Sequence, residues 1–177
     1  DWSDSALEAN HRQMFSLIDA VDAALELSDS PSDIDDWLMA RMRANQKKWV
    51  EAMSEVSLRE GVMISHFEML SDWNWYLRRG GRDRVTAMRF LQEWIPMIAP
   101  ATPHIAEEFW KKIGHEEIIA KFVMPILDAN PSDVRVLALE NYIKEILSSG
   151  RNLRTLAERH SETEITKVVI QISPEWK

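Results

Sequence analysis

The chain has 177 residues and a formal net charge of −8, which is enough for about one domain with a core that needs no covalent staples. At 45% apolar and 28% charged residues it has the composition of an ordinary soluble globular chain, with no apolar run near the roughly 18 residues of a membrane helix and no cationic-then-apolar leader. The absence of cysteine excludes disulfides and thiolate metal sites and fits a reducing compartment, here the cytoplasm.

In chain order, the first predicted helix covers Ser5 to Leu27, with Leu7, Met14, Ile18, Val21 and Leu25 as one buried stripe. After a Ser-Pro loop, a second helix runs from Asp33 to about Ser57. Asp33, Asp35 and Asp36 sit in its dipole-favoured first turn, and Ile34, Trp37, Leu38, Met42, Trp49, Met53 and Val56 form its apolar face. A third helix, Leu58 to Arg79, follows Met63, Phe67, Leu70, Trp73 and Leu77, and Gly61 blurs where it begins.

Gly80-Gly81 supplies a helix end in which φ is positive. The fourth helix, Asp83 to Ile98, is expected to bend or stop early at Pro96, which removes a backbone donor and crowds the preceding turn. Pro100 and Pro103 bracket a corner in which Thr102 can cap the helix that Pro103 starts, and Gly114 ends that helix after Ile113.

Glu116 to Pro131 is irregular but apolar enough to lie against the bundle. A sixth helix, capped by Ser132, carries one stripe from Val136 to Ala157 straight through Gly150, which is read as a break or a close helix contact. Thr166–Ile172 alternates and is β-branched, so it reads as a strand. A lone strand has nothing to pair with, so the chain is expected to be a segment of something longer, or to form at most a weak dimer through that strand.

The tryptophans and methionines at helical spacing read as core, and Trp2 and Trp176, at the ends, as exposed. The five histidines form no metal-binding pair, so no metal site is expected. His104 beside Glu107 and Glu108 invites a catalytic reading. Proline at the first helical position, acids in the early turns and Trp110 in the core explain the same string structurally.

Net charge taken as one number argues against a nucleic-acid binder, but its distribution does not. Residues 1–36 are strongly acidic, whereas Arg41, Arg43, Lys47 and Lys48 lie in an eight-residue stretch without an acid. Arg78, Arg79, Arg82 and Arg84 form a second basic group, diluted only by Asp83. Two local basic patches on an acidic body suit a polyanion on one face and equally suit solvated helix faces.

Asp72-x-x-Trp75-Tyr76-Leu77-Arg78-Arg79, followed by Trp94-Ile95-x-Met97-Ile98-Ala99-Pro100-x-Thr102-Pro103-His104-Ile105-Ala106-Glu107-Glu108-Phe109-Trp110, resembles the anticodon-binding helical domain of class Ia aminoacyl-tRNA synthetases. Asp36-Trp37-Leu38-x-x-Arg41 looks like the opening of that domain's first helix. The run WYLRR, the later ENYIKEI and the closing Ser-Pro-Glu-Trp-Lys look most like the leucyl-tRNA synthetase family of archaeal and eukaryotic cytosolic type. The similarity covers nearly the whole chain, loosely at residues 116–132. It departs at Pro96, where the family has a polar or basic helix former, and at Ala101, where it has a large aromatic; both positions concern packing at the proline corner.

The resemblance implies a mainly α fold. A helix at residues 1–30 leads into an anticodon-binding-type bundle at 31–130, and residues 131–177 give a long helix and a short β element opening a truncated α/β domain. It implies tRNA, tRNA-Leu in particular, as partner, with phosphate contacts drawn from Arg41, Arg43, Lys47, Lys48, Arg78, Arg79, Arg82 and Arg84. Neither a HIGH nor a KMSKS signature nor a Gly-rich phosphate loop occurs here. The implied ATP and Mg²⁺ therefore belong to the parent's catalytic domain, which lies upstream with an editing domain, and the chain alone is expected to have no cofactor and no catalytic residue. The rival readings are a helical protein–protein module and the equivalent domain of an isoleucyl, valyl or methionyl enzyme.

Overall fold

The computed structural model describes residues 3–160 together with Lys167 and Val169. The expected strand at Thr166–Ile172 falls almost wholly outside these residues, as do Trp2 and Trp176. The described fold is helical: α1 (Asp4–Leu25), α2 (Asp33–Ser54), α3 (58–78), α4 (Arg84–Ile98), α5 (Pro103–Lys112) and α6 (Asp133–His160), with one 3₁₀ turn at Ile119–Lys121. Residues 3–136 form one unit, and from Leu137 onward α6 belongs to a second.

In the first unit α2 packs against α3 and α4, α1 crosses α4, and α5 lies on α4. Trp37, Trp73, Tyr76, Phe90 and Trp94 fill the centre. Trp73 stacks on Phe90 with centroids 5.9 Å apart, and Phe90 meets Trp94 at 5.3 Å. This aromatic ladder joins α3 to α4 through offset and tilted contacts that favour the ring quadrupoles.

α1 differs from its predicted stripe. Leu17, Ala20, Val21 and Ala24 are buried, whereas Leu7 is exposed and Ile18 and Leu25 are half-buried. The two alanines on the inner face let the helix approach its neighbours, and the apolar residues of the first turns find nothing to pack on.

α3 carries the largest departure from a 3.6-residue period. It is continuous, but Met63–Glu68 is a π-helical segment between Leu58–Val62 and Met69–Arg78. The extra residue per turn rotates the following positions, so Met63 and Phe67 point outward while Ile64, Ser65, His66 and Met69 turn in. Widening also lets carbonyls accept outside bonds. The Trp94 indole donates to the Ser65 carbonyl at 2.6 Å, and the Gln13 amide donates to that of His66.

The break between α2 and α3 falls just before Leu58, as expected, and is made at Val56. Val56 has φ 59, with its amide bonded to the Met53 carbonyl and that of Ser57 to the Ala52 carbonyl, a helix-ending pattern usually built on glycine. Its side chain is exposed. Val56→Gly is therefore expected to raise stability by about 1 kcal/mol, the cost of a β-carbon in the left-handed region, read as a higher urea midpoint at unchanged slope. Gly61 has a different role, since a β-carbon there would press on the Met53 sulfur.

Pro96 does not stop α4, which runs on to Ile98. At the proline corner Pro103 takes the first helical turn as expected, and the Thr102 carbonyl accepts the Ala106 amide, but the Thr102 hydroxyl does not cap the helix. It lies 3.1 Å from Nε2 of buried His66, whose Nδ1 is 2.8 Å from the Ser65 hydroxyl. An apolar pocket of about 140 Å³ opens beside Ala101, walled by Trp49, Met53 and Met97.

Burial pushes His66 below its ordinary value of 6.5, against a backbone hydrogen bond that raises it. Above that value both folded and unfolded chains hold it neutral. Below it the unfolded chain binds a proton that the folded chain resists, so stability falls as pH drops from about 6.5. Glu93, raised from 4.5 by burial, gives the opposite slope above its ordinary value, so the comparison needed is between variants. His66→Gln is expected to flatten the decline between about pH 6.5 and 5 in thermal unfolding, although it lowers stability at pH 7.

Gly150 serves neither expected purpose. α6 continues through it, and open space surrounds the place its β-carbon would occupy.

Candidate nucleic-acid interface

The two predicted basic groups have different environments. Arg41, one turn before buried Asn45, aims its Nε at Asp72 at 2.8 Å, and the Asn45 amide donates to the same oxygen at 2.8 Å. Asp72 is 3% exposed, so this is an interior ion pair clamping α2 to α3. Arg43 grips Asp133 with both arms, Nε at 2.7 Å and Nη2 at 2.5 Å, fixing the first turn of α6. That grip, together with an amide bond from Asn130, holds the Asp133 carboxyl below the usual range. Further along α2, Lys48 pairs with Glu68 at 3.8 Å, and Lys47 is exposed.

The second group occupies one turn. The Gly81 amide bonds back to the Tyr76 carbonyl at 2.9 Å and the Gly80 amide to that of Leu77 at 3.1 Å, with Gly80 at φ 92. This double closure satisfies the last carbonyls of α3 and seats Gly81 against the Tyr76 ring. A second copy of the pattern ends α5. Gly114 has φ 101, His115 bonds to the Trp110 carbonyl, and the His115 ring stacks on Trp110 at 3.7 Å.

Tyr76 locks the first turn in place. Its hydroxyl donates to Asp35 Oδ1 at 2.7 Å and accepts the Asp83 amide at 3.0 Å, and burial with the Asp35 bond pushes its pKa up. Asp83 caps α4 through the Thr86 amide at 2.8 Å, which holds its own carboxyl low, and bridges to Ser28 in the loop before α2. The turn is thus anchored from three sides, and its arginines are displayed from fixed backbone.

Arg78, Arg79, Arg82 and Arg84 are all exposed. Arg82 Nη1 donates to the Leu77 carbonyl at 3.1 Å and the Gly81 carbonyl at 2.6 Å, and Arg84 Nη1 donates to the Leu25 carbonyl at 2.8 Å. Carbonyl partners orient these guanidinium groups without neutralising them, unlike the carboxylates that hold Arg41 and Arg43. Arg78 lies over the ring of half-buried Trp75, 5.6 Å from its centroid.

The string around His104 makes structural contacts through Glu107. Glu107 accepts the Ile119 amide at 2.9 Å and pairs with Lys111 at 3.7 Å, while His104 is exposed. No group of acids and histidines able to hold a metal occurs among the described residues. Sequence reasoning missed the role of Gln46, a buried amide inside a basic run. It donates to the Pro125 carbonyl at 2.9 Å and accepts the Leu127 amide at 2.8 Å, tying the irregular segment to α2.

The described residues form a helical bundle with an arginine-bearing turn, and comparison with known proteins identifies its family. The chain belongs to the family described as the anticodon-binding domain of tRNA ligase, whose model matches residues 35–170. Among curated relatives it is 27% identical over 182 residues to the leucine–tRNA ligase of Methanothrix thermoacetophila and 28% identical over 179 residues to that of Archaeoglobus fulgidus. The leucine–tRNA ligase of Methanococcoides burtonii is 29% identical over 188 residues. Each comparison takes in 100% of this chain but only 18 to 19% of the relative, so the chain spans under a fifth of the length of these proteins.

Proposed function

We propose that this chain is the tRNA-gripping part of a longer leucine–tRNA ligase, and that it holds tRNA-Leu while catalytic and editing domains elsewhere in the parent carry out ATP-dependent ligation in the cytoplasm. ATP and Mg²⁺ act in that catalytic domain, and no residue of this chain is assigned to them. The match to the anticodon-binding family supports this reading, and so does the likeness over the full chain to archaeal leucine–tRNA ligases.

The observation that carries the mechanism is the contrast between the two basic groups. Arg41 and Arg43 are bound to carboxylates within the chain, whereas the guanidinium groups of Arg82 and Arg84 are oriented by backbone carbonyls, with Arg78 and Arg79 exposed on the same turn. RNA phosphates are met at this turn, with Lys47 and Lys48 as further contacts on α2. Contacts of this kind fix the register of a tRNA without reading its bases.

For Arg78→Gln/Arg79→Gln the expected result is weaker binding to any tRNA sequence and a slope of log affinity against log salt flatter by nearly two, about one per lost contact. Filter binding between about 50 and 200 mM salt measures both. Unchanged affinity and slope in this variant would remove the end of α3 from the interface.

A further inference from the structure

Within the basic turn one contact differs in kind from a phosphate grip. Arg78 stands over the Trp75 ring at 5.6 Å, and the indole is half-buried on the last turns of α3. Four residues on, Arg82 is drawn in by the carbonyls of Leu77 and Gly81, so the next cation along the chain has a set position. A guanidinium lying over an indole has a second flat face, and a nucleobase is the flat, polarisable group that such a face accepts. The anchoring of the turn through Tyr76 to Asp35 and Asp83 means that little ordering is needed when a base arrives.

We propose that Trp75 and Arg78 form a stacking platform for one unpaired nucleotide, its base lying on the Arg78 guanidinium backed by the indole and its flanking phosphates meeting Arg82 and Arg84. This inference rests on the RNA-binding reading and adds to it a preference for a single-stranded element. Stacking of this type tolerates any base, so the platform recognises an unstacked nucleotide and not a sequence. Bases inside a duplex are stacked on each other and have no free face to offer.

The test uses the whole chain and two probes, a twelve-nucleotide single-stranded oligo(A) and a blunt RNA duplex of twelve base pairs, in fluorescence anisotropy at low salt. Arg78→Lys keeps the charge and removes the planar group, and Trp75→Leu removes the backing ring. Both variants are first checked by circular dichroism and thermal unfolding, and Trp75→Phe serves as the conservative rescue. The expected result is a loss of about tenfold in oligo(A) affinity for Arg78→Lys and Trp75→Leu, duplex affinity within twofold of the parent for Trp75→Leu and a clearly smaller loss on the duplex than on oligo(A) for Arg78→Lys, and recovery in Trp75→Phe. Equal losses on both probes, or none on either, overturn the platform while leaving the phosphate-contact reading intact. Failure of the unmodified chain to bind tRNA or either probe overturns both.

Discussion

Replacing Arg41 by leucine is expected to lower the unfolding free energy by about 3 kcal/mol, because it removes the guanidinium that lies 2.8 Å from the buried Asp72 carboxylate. Asp72 is 3% exposed, and the Asn45 amide at 2.8 Å is a dipole that cannot replace a full charge. The effect belongs to the broken pair and not to its net worth. Two buried charges lose much of their mutual attraction to desolvation, so Arg41→Leu/Asp72→Leu should recover more than half of the loss. Urea denaturation of the two single variants and the double variant gives the coupling directly. A loss under about 1 kcal/mol for Arg41→Leu would mean that Arg41 behaves as a surface ion pair.

Gly81→Ala is the second severe substitution, expected to remove about 3 kcal/mol or more through overpacking. Its β-carbon would fall on the Cδ2, Cε2 and Cζ atoms of Tyr76, a ring that cannot swing aside because its hydroxyl is held between Asp35 and the Asp83 amide. The neighbouring glycine is needed for another reason. Gly80 has φ 92 and open space around it, so Gly80→Ala incurs only the left-handed backbone cost of about 1 kcal/mol. The two adjacent positions thus separate steric from conformational demand. Midpoints of thermal unfolding should fall much further for Gly81→Ala, and the reverse order would contradict the placement of the Tyr76 ring.

Much of this fold can be read from one-dimensional pattern. The helix ends at Gly80-Gly81 and Gly114 follow from glycine's access to positive φ, and the start of α5 follows from Pro103. The misreadings have physical causes. Periodicity carried Met63 and Phe67 into the core because a π-helical segment adds a residue that no composition signal marks. The α2–α3 junction falls where it is expected, before Leu58, but Val56, expected on the apolar face of α2, makes the turn in the left-handed region and is exposed. In α1 the large apolar residues suggested a stripe, but the packing surface is set by Leu17 and small Ala20 and Ala24.

At the candidate site the residue types are legible in the sequence, but their partners are not. A run such as Arg41 to Lys48 reads as one basic patch, yet the carboxylates that hold Arg41 and Arg43 lie 31 and 90 positions further along the chain. Nothing local announces such pairing. Arg82 in the Gly-Gly turn differs because the Leu77 and Gly81 carbonyls it meets lie within the turn itself. Trp75, one of the tryptophans that read as core, is only half-buried, and its place beside Arg78 follows from their i, i+3 spacing on one helix face.

Protection of arginine side chains by bound tRNA tests the central claim most directly. The chain is treated with phenylglyoxal at low salt with and without saturating tRNA, and modification at each arginine is read by peptide mass spectrometry. Loss of reactivity at Arg78, Arg79, Arg82 and Arg84, with Arg12 and Arg59 unchanged, is the predicted result. Equal reactivity of those four with and without bound tRNA would contradict it.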